Sequence, residues 1–260
     1  VRELRLIAAL ARVALMNAAQ YRASFLVDLV TGAVSTVGIV LPLALVYNHT
    51  ERIAGWSFHE SLLVTGFFLL LQGAVGLAVE PNLSAIVEGV RSGALDYLVL
   101  KPVDAQLVAS MQRIAPAKIW HLLAGVGVVL WGLSALPSPS LVASLTAVVL
   151  FVVGLFATYA LWVLVICTSF WFVKVDNLSY LLVAVVDAGR WPVTVYKGWV
   201  RLFLTVVIPV AMVTSYPALA LLGRLGPWLA VQGVVVAIVL LVISRVAWLL
   251  ALSRYTSASS

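Results

Sequence analysis

The 260-residue chain is 63% hydrophobic and only 10% charged, with a formal net charge of +6 and a mean hydropathy of +1.13. A soluble surface carries roughly 25–35% charged residues, and 16 basic plus 10 acidic side chains cannot cover one here. These figures exclude a soluble enzyme, a disulfide-stapled secreted scaffold and a disordered tail, and they place the chain in a membrane.

A helix crosses a hydrocarbon core of roughly 30 Å with about 20 apolar residues, so the stretches without Asp, Glu, Lys or Arg define the predicted elements. Before the first such stretch, Arg2, Arg5 and Arg12 recur at close to helical spacing among Leu4, Ile7, Ala8 and Leu15. Residues 2–20, within an opening segment 1–24, are expected to form a helix lying in the membrane interface rather than a cleaved signal peptide. Span one follows in 29–50, between Asp28 and Glu51, and span two in 61–79, between Glu60 and Glu80. The predicted division is then 25–79 for spans one and two and 80–116 for a polar connecting segment. Residues 117–173 hold spans three and four, separated at the LPSPS turn, where Pro137 and Pro139 break a helix.

Residues 174–201 resist this count, because Lys174, Asp176, Asp187, Arg190, Lys197 and Arg201 leave only 177–186 free of charge. Two topologies stay open for 174–223. In one, 174–201 is a cytoplasmic connection and 202–223 is span five. In the other, span five runs from about Lys174 to Arg190, and 196–222 dips in and out on the external face around Pro209 and Pro217. Span six lies in 224–250. Arg2, Arg5, Arg12 and Arg22 precede span one while Arg52 alone follows it, so both termini are expected inside. The fold class expected is all-α: a polytopic membrane protein of six transmembrane helices, with an N-terminal interfacial helix and a cytoplasmic helix between spans two and three.

Reactive chemistry is sparse. None of the four lysines follows the glycine of a G-x-x-x-x-G-K-[ST] phosphate loop, so ATP hydrolysis is expected in a separate subunit and no catalytic residue is assigned. His49, His59 and His121 are too scattered for a metal site, no cofactor is expected in this chain, and no G-x-S-x-G elbow occurs. Cys167, inside LWVLVICTSFWF, has no partner for a disulfide and is read as a buried small hydrophobe. The string NHT at Asn48 fits a glycosylation acceptor by pattern only. Ion-coupled transport has weak support, since Asp187 is an intramembrane carboxylate only under the second topology. The tryptophans, among them Trp56, Trp131, Trp162, Trp171 and Trp199, are read as interfacial anchors and packing groups.

The informative polar stretch is EPNLSAIVEGVRSGALDYLVLKPVD, residues 80–104. Pro81 suits a first helical turn, Asn82 or Ser84 can cap it, and Gly93 can end it. Leu83, Ile86, Val87 and Val90 share one face. The mixed charges Glu88, Arg91, Asp96, Lys101 and Asp104 surround a small apolar patch, which suits docking of a soluble protein better than lipid binding.

Three strings resemble the permease subunits of ABC-2 type transporters, especially a small six-span bacterial branch: VRSGALDYLVLKPVD, GWSFHESLLVTG at 55–66, and RWPVTVYKGWVRLFLTVVIPVAMVTSYPALALLG at 190–223. The resemblance implies pairing with a second permease, identical or homologous, and binding of two cytoplasmic ABC ATPase subunits that hold ATP and Mg. It implies export of a hydrophobic or amphipathic substrate, such as a drug, natural product or lipid-like molecule, across a bacterial inner membrane by alternating access. Glu88, Arg91, Gly93, Asp96, Lys101 and Pro102 then become ATPase-coupling residues. Pro192, Trp199, Pro209 and Pro217 become candidates for a re-entrant element or pathway. Membrane lipids are further partners and nucleic acid is not. A membrane-embedded lipid-modifying enzyme and a non-transporting scaffold are the alternatives.

Overall fold

The computed structural model describes residues 22–100, 104–170 and 182–254, and there the fold is helical throughout. The expected interfacial helix at 2–20 lies outside the described residues, as do Lys101, Pro102, Trp171 and the first part of the alternative span five. Five helices are long and apolar enough to cross a membrane: Leu26–Tyr47, Phe58–Val90, Pro116–Ser134, Leu141–Phe170 and Pro227–Arg254. A sixth candidate is a pair, Gly198–Val207 and Val210–Leu221, bent by 68° at Ile208–Pro209.

We number the elements α1 (Arg22–Tyr47), α2 (Phe58–Ala74), α3 (Glu80–Ser92), α4 (Asp96–Val99), α5 (Ala105–Ala109), α6 (Ile119–Ser134), α7 (Leu141–Cys167), α8 (Gly198–Val207), α9 (Val210–Leu221) and α10 (Pro227–Arg254). Helix α2 is central: 61% of its membrane window is buried, against 11% for α1 and 22% for α10. It begins at a capping box in which Ser57 Oγ accepts from the Glu60 N–H while the Glu60 carboxylate accepts from the Ser57 N–H.

Helices α2 and α6 pack antiparallel through glycines. A Cβ on Gly66 would stand 2.6 Å from Val129 Cγ2, one on Gly73 2.8 Å from Leu122, and one on Gly132 2.9 Å from the His59 carbonyl oxygen. Where lipid removes the hydrophobic drive between helices, such small residues let backbones approach and gain dispersion contact. The same device seats α9 on α7, since a Cβ on Gly154 would stand 2.7 Å from Val213 Cγ2.

One end of the bundle, here the upper end, gathers the loops around Trp56, Leu136 and Arg224. Trp56 Nε1 donates to Thr194 Oγ1 at 2.8 Å, and Arg224 pairs with Glu60 at 2.6 Å. Both ends of the bent pair therefore sit beside the start of α2. Its tip reaches inward: Val210 abuts Gly189, and Val213 meets Gly154 at the midpoint of α7. The pair goes in and returns at the same end. Residues 182–190 run to meet it from below, with Leu182 packed in the cluster of Trp162, Ile166 and Trp248.

Candidate functional site

At the lower end the chain builds the element expected from residues 80–104, with one difference. It is not a separate helix after span two. The helix continues from α2 through one π-turn, Val75–Val79, directly into α3, so Phe58–Val90 is a 33-residue run. At 1.5 Å per residue that is about 50 Å, and a core of roughly 30 Å leaves the α3 turns beyond it. Pro81 does stand in the first turn of α3, but inside this continuous helix its missing N–H leaves the Leu77 carbonyl free, and the Ala115 N–H donates to it at 2.9 Å.

Asn82 does not cap α3. It is 1% exposed, and its side chain spans from α3 to the loop at residue 113: Nδ2 donates to the Ala78 and Arg113 carbonyls, and Oδ1 accepts from the Arg113 N–H at 2.6 Å. The predicted apolar face is real, with Leu83 and Ile86 buried and Val87 and Val90 packed beside them against α7 and α10. Gly93 closes α3 in the left-handed conformation, φ 77°, which a side-chain-bearing residue adopts at a cost. The chain then folds back, the Leu95 N–H donating to the Gly89 carbonyl, and Asp96 opens the single turn α4.

The outer surface of this element is mixed. Glu88 is exposed and lies 4.0 Å from Arg113. Tyr97 and Leu100 are 78% and 82% exposed, and a groove of about 290 Å³ is lined by Glu88, Gly89, Ser92, Leu95 and Arg113. Arg91 falls in the last turn of α3, and its side chain lies outside the described residues together with Lys101 and Pro102. Thus Glu88, Arg91, Gly93 and Asp96 belong to one compact element.

Residues after 104 brace that element, and the sequence reading missed them. Asp104 Oδ1 accepts from the Leu107 N–H and caps α5, while both Asp104 oxygens meet the Arg245 guanidinium of α10. The Arg245 Nη1 also donates to Gln106 Oε1 at 2.8 Å. That hydrogen bonding holds the Asp104 carboxyl below its ordinary value of 3.8. Ser110 and Gln106 reach Tyr159 on α7. A charge 141 positions away leaves no local periodicity to read.

The other sequence candidates do not converge. Pro192 is buried beside the Val193 N–H, which donates to Ser215 Oγ; Pro209 forms the bend between α8 and α9; Pro217 lies in the first turn of the second half of α9. Trp199 is 76% exposed, with Phe203 at 6.5 Å, and suits an interface anchor more than a wall of a cavity. Cys167 is buried, as expected. Among the described residues no group of three His, Cys, Asp or Glu side chains gathers at metal-binding distance.

Beyond its geometry, the chain matches the ABC-2 family transporter protein description over residues 33–259. The chain belongs to the ABC-2 transporter family. That membership identifies a multi-pass transporter membrane component and implies ATPase partners in general. No curated protein and no solved structure matches the chain.

Proposed function

We propose that this ABC-2 family protein is the permease subunit of an ATP-driven exporter, carrying a hydrophobic or amphipathic substrate by alternating access while separate ATPase subunits hydrolyse ATP. The observation that carries the reading is the uninterrupted α2–π-turn–α3 helix. It joins the most buried of the five long candidate spans to an exposed element bearing Tyr97, Leu100 and Glu88. A push on α3 or α4 from a soluble partner moves α2 as a lever, and α2 contacts α1, α6 and α9. In this reading Glu88, Arg91, Gly93, Asp96, Lys101 and Pro102 shape or contact the ATPase surface.

Arg91, Arg113, Lys118, Arg245 and Arg254 gather at the lower end, which supports a cytoplasmic lower side. The upper side is then external, and α8–α9 is a re-entrant hairpin entered from outside. Its Lys197 and Arg201 go against the charge rule, and the close fit at Gly189 and Gly154 is what offsets that preference. The outward face of α1, with Val30, Val34, Val37, Leu41 and Leu45 exposed at helical spacing, gives a second permease or lipid an apolar surface.

Purification from native membranes in mild detergent tests the assignment. Two copies of an ABC ATPase per pair of permeases, with vanadate-sensitive ATP hydrolysis, are expected. Recovery of the intact chain with no ATPase would remove it in favour of a scaffold or a lipid-modifying enzyme.

A further inference from the structure

Between the π-turn and the start of α6 lies a half-open cavity of about 240 Å³. Its walls are apolar, from Leu71, Val75, Trp162 and Val186, yet six polar or charged side chains line it: Ser35, Gln72, Glu80, Lys118, His121 and Asp187. Apolar walls with a few converging polar and charged groups are the make-up of a ligand site. A π-turn adds one residue to a helix and recurs at functional sites; here it forms the wall between Gln72 and Glu80.

The polar groups are incompletely matched. His121 is 9% exposed, and its Nδ1 has no hydrogen-bond partner although it is sealed from solvent. The Lys118 stem lies over Gly76, where a Cβ would stand 3.1 Å from it, so the glycine lets the stem pack close against the π-turn. Lys118 and Glu80 form no ion pair with each other or with another described residue, and both are exposed to the cavity mouth. Asp187 is partly answered by Arg190 at 3.6 Å.

A purely anionic guest would meet Glu80 and Asp187, and a purely cationic one would meet Lys118. A guest carrying both charges satisfies both. We propose that this cavity binds the zwitterionic headgroup of an amphiphile, its anionic group toward Lys118 and His121 and its ammonium toward Glu80 and Asp187. The volume lies below the roughly 300–1,000 Å³ that encloses a drug-sized ligand, which suits a headgroup whose apolar tail stays outside. Val183, on the rim and 42% exposed, leaves that tail an apolar way out toward lipid. The cavity deepens the exporter reading by naming a substrate class, but binding itself depends on neither ATP nor an ATPase.

The test is native mass spectrometry of the detergent-solubilised chain. It is offered equimolar phosphatidylethanolamine and phosphatidylglycerol with identical acyl chains. Several-fold preferential retention of phosphatidylethanolamine is expected, reduced to no preference by Lys118→Gln and separately by Glu80→Gln. Both side chains are exposed, so thermal unfolding of the variants should match the parent. Competition by free phosphoethanolamine would show that the headgroup alone suffices; retained preference without competition would show that the lipid-borne headgroup is the ligand. Equal retention of the two lipids, or a preference that survives both substitutions, overturns the proposal. Either failure leaves the ATPase association untouched, and loss of that association leaves lipid binding untouched.

Discussion

Asn82 and Arg113 hold each other by a reciprocal pair of hydrogen bonds, the Arg113 N–H donating to Asn82 Oδ1 at 2.6 Å and Asn82 Nδ2 donating back to the Arg113 carbonyl at 2.8 Å. One buried amide thereby fixes the chain entering α6 to the helix leaving α2. Replacing it by leucine strands the backbone donor and acceptor of Arg113, at about 1–3 kcal/mol for each unsatisfied buried group. Asn82→Leu is expected to lower the unfolding temperature in detergent and to uncouple ATP hydrolysis from transport. Asn82→Asp keeps the acceptor but loses the donor, and is expected to fall between. Thermal unfolding of the two variants checks the order.

The Asp104–Arg245 pair gives a pH signature. Arg245 holds the folded-state carboxyl below 3.8, so the unfolded chain takes up a proton first as pH falls. The stabilisation is therefore present above about pH 4 and lost as pH drops through the lowered folded value. Between pH 5 and 8 this pair contributes no slope. Asp104→Asn is expected to lower the unfolding temperature at pH 7 and to shrink the difference from the parent at pH 3, read by unfolding across that range.

Gly189 faces Val210 so closely that a Cβ would lie 2.1 Å from its Cγ1, whereas Gly127 on α6 has nothing within 4 Å. Gly189→Ala must displace the tip of the α8–α9 hairpin, and overpacking of this kind costs about 1–3 kcal/mol. Gly127→Ala adds only helix propensity, worth about 1 kcal/mol in the stabilising direction. Opposite shifts in unfolding temperature are expected from two identical chemical changes.

At the upper end, Glu60 is 4% exposed and pairs with Arg224, whose side chain is about half exposed. Arg224→Ala leaves a buried carboxylate with the Ser57 N–H as its nearby donor. Removing one partner of a fully buried pair costs about 3–5 kcal/mol; partial solvation of Arg224 brings the expectation to about 2 kcal/mol. The double variant Glu60→Gln/Arg224→Ala is expected to recover much of that loss, because no uncompensated charge remains. A double-mutant cycle by thermal unfolding measures the coupling.

How much of this was legible in sequence follows from how local each cause is. Charge-free stretches located α1, α2, α6, α7 and α10 because lipid penalises charge wherever the helix lies. Gly93 was legible as a helix stop, and the apolar face of α3 was legible from its spacing. The continuity of α2 with α3 was not: Glu80 and Pro81 look like a boundary, and only the π-turn carries the helix through them. Asn82 looked like a cap because caps are local, while its partner, Arg113, is 31 positions away. The contacts that seat the bent pair, Thr194 with Trp56 and Arg224 with Glu60, were not legible either, because they join segments more than 130 residues apart. The cavity was equally hidden, since Gln72 comes from α2 and Lys118 and His121 from the start of α6.

Site-specific photocrosslinking tests the central claim most directly. A benzophenone amino acid is placed at Tyr97, 78% exposed on the lower element, and separately at Trp228, 76% exposed at the opposite end of the bundle. In native membranes, illumination is expected to give an ABC ATPase adduct from position 97 and none from position 228. No ATPase adduct from position 97, or equal adducts from both positions, would contradict the assignment of α3 and α4 as the surface through which ATP hydrolysis drives this protein.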